Sequence, residues 1–235
     1  MSVATACGLP PPGAGEPLGA AVALSDPVLV RPSVCQGYVA LSFDDGPTSG
    51  TTRLLEVLDK YDLPALFFNT GERTLREAEA MAAETALAGV QLGNHSFSHP
   101  DLSALSPDEV RDEIERTRTV QGSEVTFFRP PFGSANQMVV DVVTEMGMQQ
   151  VLWTHDSKDF EATSVDQIVA QSAGMNDGGI LLLHDGNAMT VRALPRIVDS
   201  YYVRGLCFGQ VASSSLAQAP AESPALTFYA RAVAP

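Results

Sequence analysis

The sequence is poor in positive charge, in cysteine and in long apolar runs, and each shortage removes a class of function. Lys and Arg together number 14 against 28 Asp and Glu, a formal charge of −14 over 235 residues. Such a field repels nucleic acid and anionic membrane or wall polymers; it favours neutral or cationic partners, and solubility alone is the plainer reading. No window approaches the ~18 consecutive apolar residues of a membrane-spanning helix. The opening MSVATACGLPPPGAGEPLGA has no basic segment and is interrupted by Pro and Gly, so it does not read as a secretory signal. It reads as a flexible tail over 1–34, and the Ala/Ser/Pro-rich stretch ASSSLAQAPAESPAL leads a second tail over 213–235, packing on the domain or trailing it. No internal repeat of useful length is present. What remains, 35–212, suits one domain of barrel size, and the 45% apolar content suits a folded core.

Only three cysteines occur, Cys7, Cys35 and Cys207. Three allow three single bridges, and counting does not choose among them. A Cys35–Cys207 bridge would close a long loop; two buried free thiols are the alternative.

Between the tails, apolar strand-like runs alternate with helical spacing. The runs are YVALSF, ALFFNTG, VQLGNHS, VTFFRPP, QQVLWTHD, GGILLLHD and GLCFGQV. Leu54, Leu55, Leu58 and Tyr61 fall on one face of the helix that follows the first run. LSPDEVRDEIERTRTV is the clearest helix. Ser106 is its N-cap, Pro107 its first position, Asp108 and Glu109 suit its N-terminal dipole, and Val110, Ile114 and Thr117 form its inner face. About seven parallel strands with six intervening helices predict an α/β fold, a distorted (β/α) barrel before an open doubly wound sheet. In both, reactive residues belong at the carboxyl ends of strands.

The chemistry-bearing residues do collect there. Asp44 and Asp45 end the first strand, His95 and His99 follow the third, and Arg129 ends the fourth. Asp156 and Asp159 end the fifth, and His184 ends the sixth. Two imidazoles four apart, turned helically, can share one metal ion. Adding one carboxylate gives three ligands with open positions, the pattern of a catalytic rather than a structural zinc site, which prefers four. The paired aspartates of SFDDGP then divide the work: one ligates, its neighbour acts as base, and Gly-Pro turns the chain behind them. In isolation, DDGP reads equally well as an ordinary turn.

SFDDGP, HSFSH, RPPFG, DSKDF and LLLHD, in this order, resemble the five motifs of the polysaccharide deacetylases, carbohydrate esterase family four. CQGYVALSFDDGP, LFFNTG, HDGNAMTVRALPRI, GLC and the terminal RAVAP bring the chain nearest to secreted bacterial acetylxylan esterases and chitooligosaccharide deacetylases. The resemblance implies a secreted enzyme whose catalytic domain removes acetyl groups from xylan, chitin oligomers or both. It implies one divalent ion, zinc foremost with cobalt or nickel tolerated, on Asp45, His95 and His99. Asp44 becomes the general base, Arg129 the residue that holds it ionised and oriented, His184 the general acid and Asp159 its carboxylate partner. The Phe132 N–H becomes an oxyanion donor, and Cys35–Cys207 a disulfide of an oxidising compartment. Two positions depart from the family pattern: Phe160 stands where Trp is usual and Phe132 where Tyr is usual. Both bear on substrate preference rather than reaction class. His155 and Trp153 read as packing residues, Asp156 as a support to the site, and Met138, Met146 and Met148 as core filler. The expected partner is an acetylated polysaccharide or oligosaccharide, met by a monomer with no membrane span. A peptidoglycan deacetylase and an inactive carbohydrate-binding scaffold are the alternatives.

Overall fold

The computed structural model describes residues 29–122, 124–212 and 231–233. Expectations for Cys7 and for most of both tails lie outside the described residues. In chain order the elements are β1 (Gly37–Gly46), α1 (Thr51–Lys60), β2 (Ala65–Asn69), α2 (Gly71–Arg76), α3 (Ala78–Ala86) and β3 (Val90–Asn94). Then come α4 (Pro107–Gln121), β4 (Phe127–Phe128), α5 (Gln137–Glu145), β5 (Gln149–Gln150) and β6 (His155–Asp156). The chain continues through α6 (Val165–Ser172), β7 (Ile180–His184), α7 (Ala188–Tyr202), β8 (Leu206–Phe208), β9 (Gln210–Ala212) and β10 (Arg231–Val233).

One parallel sheet runs β5-β4-β3-β2-β1-β7-β6, with β8 joining the start of β1. It is curled into a half-barrel, as the strand–helix alternation predicts. β1 is its axis: residues 37–39 pair with β8, 40–44 with β7, and 41–46 with β2. Successive side chains of a strand face opposite ways. Val39, Leu41 and Phe43 therefore join Phe67, Leu181 and Leu183 in the main core beneath α1 and α7. Ala40, Ser42 and Asp44 face the concave side with Leu66, Phe68 and Ile180. That alternation puts Asp44 in register with His184 on one neighbour and with Phe68 on the other.

α1 buries Leu54, Leu55 and Leu58 as its spacing predicts. α4 begins in a full capping box, Ser106 with Glu109. A bridge between Cys35 and Cys207 ties the chain ahead of β1 to β8, across a sequence separation of 172. No helix among the described residues is long and apolar enough to cross a membrane.

Three expected strands are shorter than their apolar runs. VTFFRPP yields only β4, because Pro130 and Pro131 have no N–H to give a neighbour. QQVLWTHD breaks into β5 and β6 at opposite edges of the sheet, and between them the carbonyls of Val151 and Leu152 accept from the Arg129 guanidinium instead of a strand. GLCFGQV divides into β8 and β9, and β9 pairs antiparallel with β10, which lies within the expected C-terminal tail.

Candidate active site

Adjacent residues of a flat strand point apart, so two neighbouring aspartates reach one site only if the strand is interrupted. β1 is interrupted there. Its register against β2 slips between Asp44 and Gly46, leaving Asp45 as the extra residue of a bulge with φ 66°. Asp44 stays on the concave face, 4% exposed, and Asp45 turns into the same cleft half-buried.

The two imidazoles arrive differently from the sequence expectation. Beyond β3 the HSFSH segment is not helical; it is a loop in which Ser96 (φ 63°) and His99 (φ 62°) are left-handed. Glu113 of α4 holds that loop, accepting the amides of Phe97 and Ser98 and the Ser98 hydroxyl, each at 2.8 Å. The Asn94 side chain accepts from Ser96 N at 2.9 Å. The rings of His95 and His99 end 5.0 Å apart between centroids.

Asp45, His95 and His99 each present one ligand atom within 4.8 Å of the others. Asp45 Oδ1 lies 3.2 Å from His99 Nε2 and 3.7 Å from His95 Nε2. His95 Nδ1 sits 2.7 Å from the Arg129 carbonyl, an acceptor only, so Nδ1 carries the proton and Nε2 keeps its lone pair. Burial pushes the His95 pKa down despite the nearby aspartates, which favours the neutral, ligating form. Burial acts to raise the Asp45 pKa, but the His99 hydrogen bond and the surrounding histidines prevail and hold it at about 2. Two neutral imidazoles and one carboxylate fit a divalent cation such as zinc.

Arg129 is wholly buried behind Asp44. Its Nη1 donates to Asp44 Oδ1 at 2.6 Å and to Ser42 Oγ at 3.0 Å, and its guanidinium lies 4.0 Å over the Phe68 ring. Asp44 Oδ2 is left on the histidine side, 3.7 Å from His95 Nε2. Across the cleft, His184 Nδ1 donates to Asp159 Oδ1 at 2.7 Å. Asp159 Oδ2 accepts from the Thr190 hydroxyl at 2.6 Å and from His184 N at 2.9 Å, which fixes the carboxylate and leaves Nε2 for the cleft. Burial lowers the His184 pKa, but the bond to Asp159 and the charges of Asp159, Asp44 and Asp45 outweigh it, and the result is raised.

The cleft holds about 440 Å³. Phe132 and Phe160, 69% and 60% exposed, wall it beside His99 and His184. Trp153 also lines it, packed beside Gly133 with the Arg129 guanidinium 5.5 Å from its ring centroid, so the packing expected of it takes place at the cleft wall. Asp156 lines it as well; His155 instead bonds the Gln171 carbonyl, away from the site. Glu113 was absent from the sequence-based set, although it shares a helix face with Val110, Ile114 and Thr117.

Comparison with known proteins agrees with this geometry. The polysaccharide deacetylase family model matches residues 32–151, covering Asp44, Asp45, His95, His99 and Arg129. A bifunctional xylanase/xylan deacetylase of Cellvibrio japonicus is 32% identical over 76% of this chain, which spans only 28% of that protein's length. A chitooligosaccharide deacetylase of Azorhizobium caulinodans is 30% identical over 72% of this chain and 90% of its own. A family 4 carbohydrate esterase from Streptomyces lividans, solved in complex with acetate, superposes with a TM-score of 0.76 at 33% identity, covering 86% of this chain and 99% of that one. With its motifs gathered in one cleft and its likeness running through most of its length, the chain belongs to the polysaccharide deacetylase family.

Proposed function

We propose that the protein is a secreted, metal-dependent deacetylase of neutral β-1,4-linked carbohydrates, acting on O-acetyl xylan or N-acetyl chitooligosaccharides. The observation that carries this reading is the meeting, in one cleft, of an Asp-His-His donor set with two separate proton-transfer groups, Asp44 and His184.

A divalent cation on Asp45, His95 and His99, zinc by preference, would lower the pKa of the attacking water and polarise the acetyl carbonyl. Asp44 takes the proton of that water on Oδ2, since Arg129 occupies Oδ1 and fixes the carboxylate plane. The Phe132 N–H donates to the oxygen that becomes negative as the carbonyl is attacked. His184, with Nδ1 bound to Asp159, delivers a proton from Nε2 to the departing sugar oxygen or nitrogen. The exposed rings of Phe132 and Phe160 offer apolar faces to a sugar. The net charge of −14 suits a neutral polymer better than an anionic wall, and the Cys35–Cys207 bridge suits an extracellular setting.

The test is acetate release from acetylated xylan and from chitin oligomers, on chelated and on zinc-restored protein. Release should require zinc and fall at least 100-fold in Asp44→Asn. No release from either polymer, with zinc demonstrably bound, would turn the assignment towards peptidoglycan or towards binding without catalysis.

A further inference from the structure

Glu84, in α3 and outside all five motifs, is wholly buried. Its Oε2 accepts from Asn69 Nδ2, while its Oε1 has no hydrogen-bond partner. Asn69 is equally buried, and its Oδ1 is equally without a partner. Two unfilled buried acceptors are unfavourable, and a single proton on Glu84 removes one of them by turning an acceptor into a donor. Burial favours that proton: it raises the Glu84 pKa to about 8, with the Asn69 bond opposing and the charge of Asp185 adding to it.

Asn69 is the link to the site. Its backbone carbonyl accepts from His95 N at 3.1 Å, and the next residue's N–H donates to Gly46 O at 2.9 Å. Its Oδ1 lies against Gly46, the residue after Asp45; a Cβ there would come within 2.4 Å of that oxygen and 2.8 Å of Asp185 Oδ2. One asparagine thus bears on the backbone that carries two of the three donor residues. We propose that Glu84 is a positioning residue of the metal centre, clamping Asn69 so that the Asp45 bulge and the His95 backbone keep their spacing. The inference rests on reading Asp45, His95 and His99 as a metal site.

A neutral acid and a carboxamide each set a donor beside an acceptor, the carboxamide with a second N–H, whereas a carboxylate offers acceptors only. Zinc affinity, read by competition with a chromophoric chelator on the full chain, therefore separates the cases, with Asp45→Ala as the control for the site. Glu84→Gln should bind zinc within about twofold of wild type, and Glu84→Ala about 10- to 100-fold more weakly. The infrared difference between wild type and Glu84→Gln at pH 6 should contain a carboxylic-acid carbonyl band. The role is overturned if Glu84→Ala binds like wild type, or if Glu84→Gln binds tenfold more weakly; the second comparison decides the matter even where Glu84→Ala does not fold. If wild type itself binds no more zinc than Asp45→Ala, the metal reading fails and this role falls with it, an outcome visible before any Glu84 variant is made.

Discussion

Replacing Asp159 by Asn removes a charge and keeps a shape. The Thr190 hydroxyl and the His184 amide, 2.6 and 2.9 Å from Asp159 Oδ2, both require an acceptor there. The amide oxygen of Asn must fill that place, which turns its NH₂ towards His184 Nδ1, where the carboxylate now stands at 2.7 Å. A donor facing Nδ1 is satisfied only when Nδ1 carries no proton, so the imidazolium form is opposed. In the wild-type protein burial lowers the His184 pKa, and Asp159 is the largest influence that overcomes it. A hydrogen bond to a charged group contributes ~1.5–3 kcal/mol, which corresponds to roughly 10- to 100-fold in the protonated fraction.

The sign follows from the general-acid role proposed for His184. A general acid must enter the reaction protonated, and a raised pKa keeps His184 protonated to higher pH. In Asp159→Asn the alkaline limb of kcat/KM for acetylated xylan should move to lower pH, with activity beyond the limb reduced about 10- to 100-fold. The defect should nearly vanish on an aryl acetate, whose leaving group departs without a proton. Two results would refute the reasoning: an alkaline limb that stays in place, or an equal loss on the sugar and aryl esters. Stability carries the same sign, because His184 stabilises the fold below the ordinary histidine pKa and ceases to do so as pH rises through its raised value.

Replacing Cys35 and Cys207 together by Ser releases a 172-residue loop and should cost up to about 5 kcal/mol, read as a lower urea midpoint, with acetate release intact at 25 °C. Gly46→Ala should weaken zinc binding more than tenfold and destabilise by about 1–3 kcal/mol in calorimetry, because its Cβ has no room beside Asn69 Oδ1. Phe160→Leu should raise KM for the polymer about three- to tenfold with little change in kcat, since it removes an exposed ring beside His184 and no group that moves a proton.

Much of the fold was legible because it rests on local periodicity. β2 and β7 are unbroken apolar runs buried on both faces, and Leu54, Leu55 and Leu58 mark the inner face of α1. The division of QQVLWTHD was not legible, because it depends on Arg129, which lies 20 residues earlier and draws the intervening carbonyls out of the sheet. Trp153 falls in that same break between β5 and β6 and lines the cleft there. Glu113 and Glu84 left a fainter signal. Glu113 occupies the buried face of its helix with Val110 and Ile114, and Glu84 the face with Ala80 and Met81. An acid on an apolar face must bond something buried, but spacing alone does not say what. Glu113 bonds the HSFSH loop, and Glu84 bonds Asn69.

The backbone, more than the side chains, decides how two adjacent aspartates differ. Asp44 is in register with Phe68 and His184, so the sheet aims it at Arg129 and fixes one oxygen there. Asp45 is out of register in a left-handed bulge, so it swings towards His99 and away from the guanidinium. Six non-glycine residues among those described are left-handed, and five of them lie within the motifs: Asp45, Ser96, His99, Phe132 and Lys158. Each such residue costs about 1–3 kcal/mol unless its surroundings hold it. Asp45, Ser96 and His99 are held by bonds from outside the cleft. Asp185 N–H reaches the Asp44 carbonyl, Thr70 N–H reaches the Gly46 carbonyl, and Glu113 fastens the loop that carries His99. Exchanging the roles of Asp44 and Asp45 would require moving the bulge by one residue, which would turn Asp44 out of register with His184 and break the Arg129 contact. In the proposed mechanism, chemically identical neighbours therefore serve as base and ligand because the strand treats them differently.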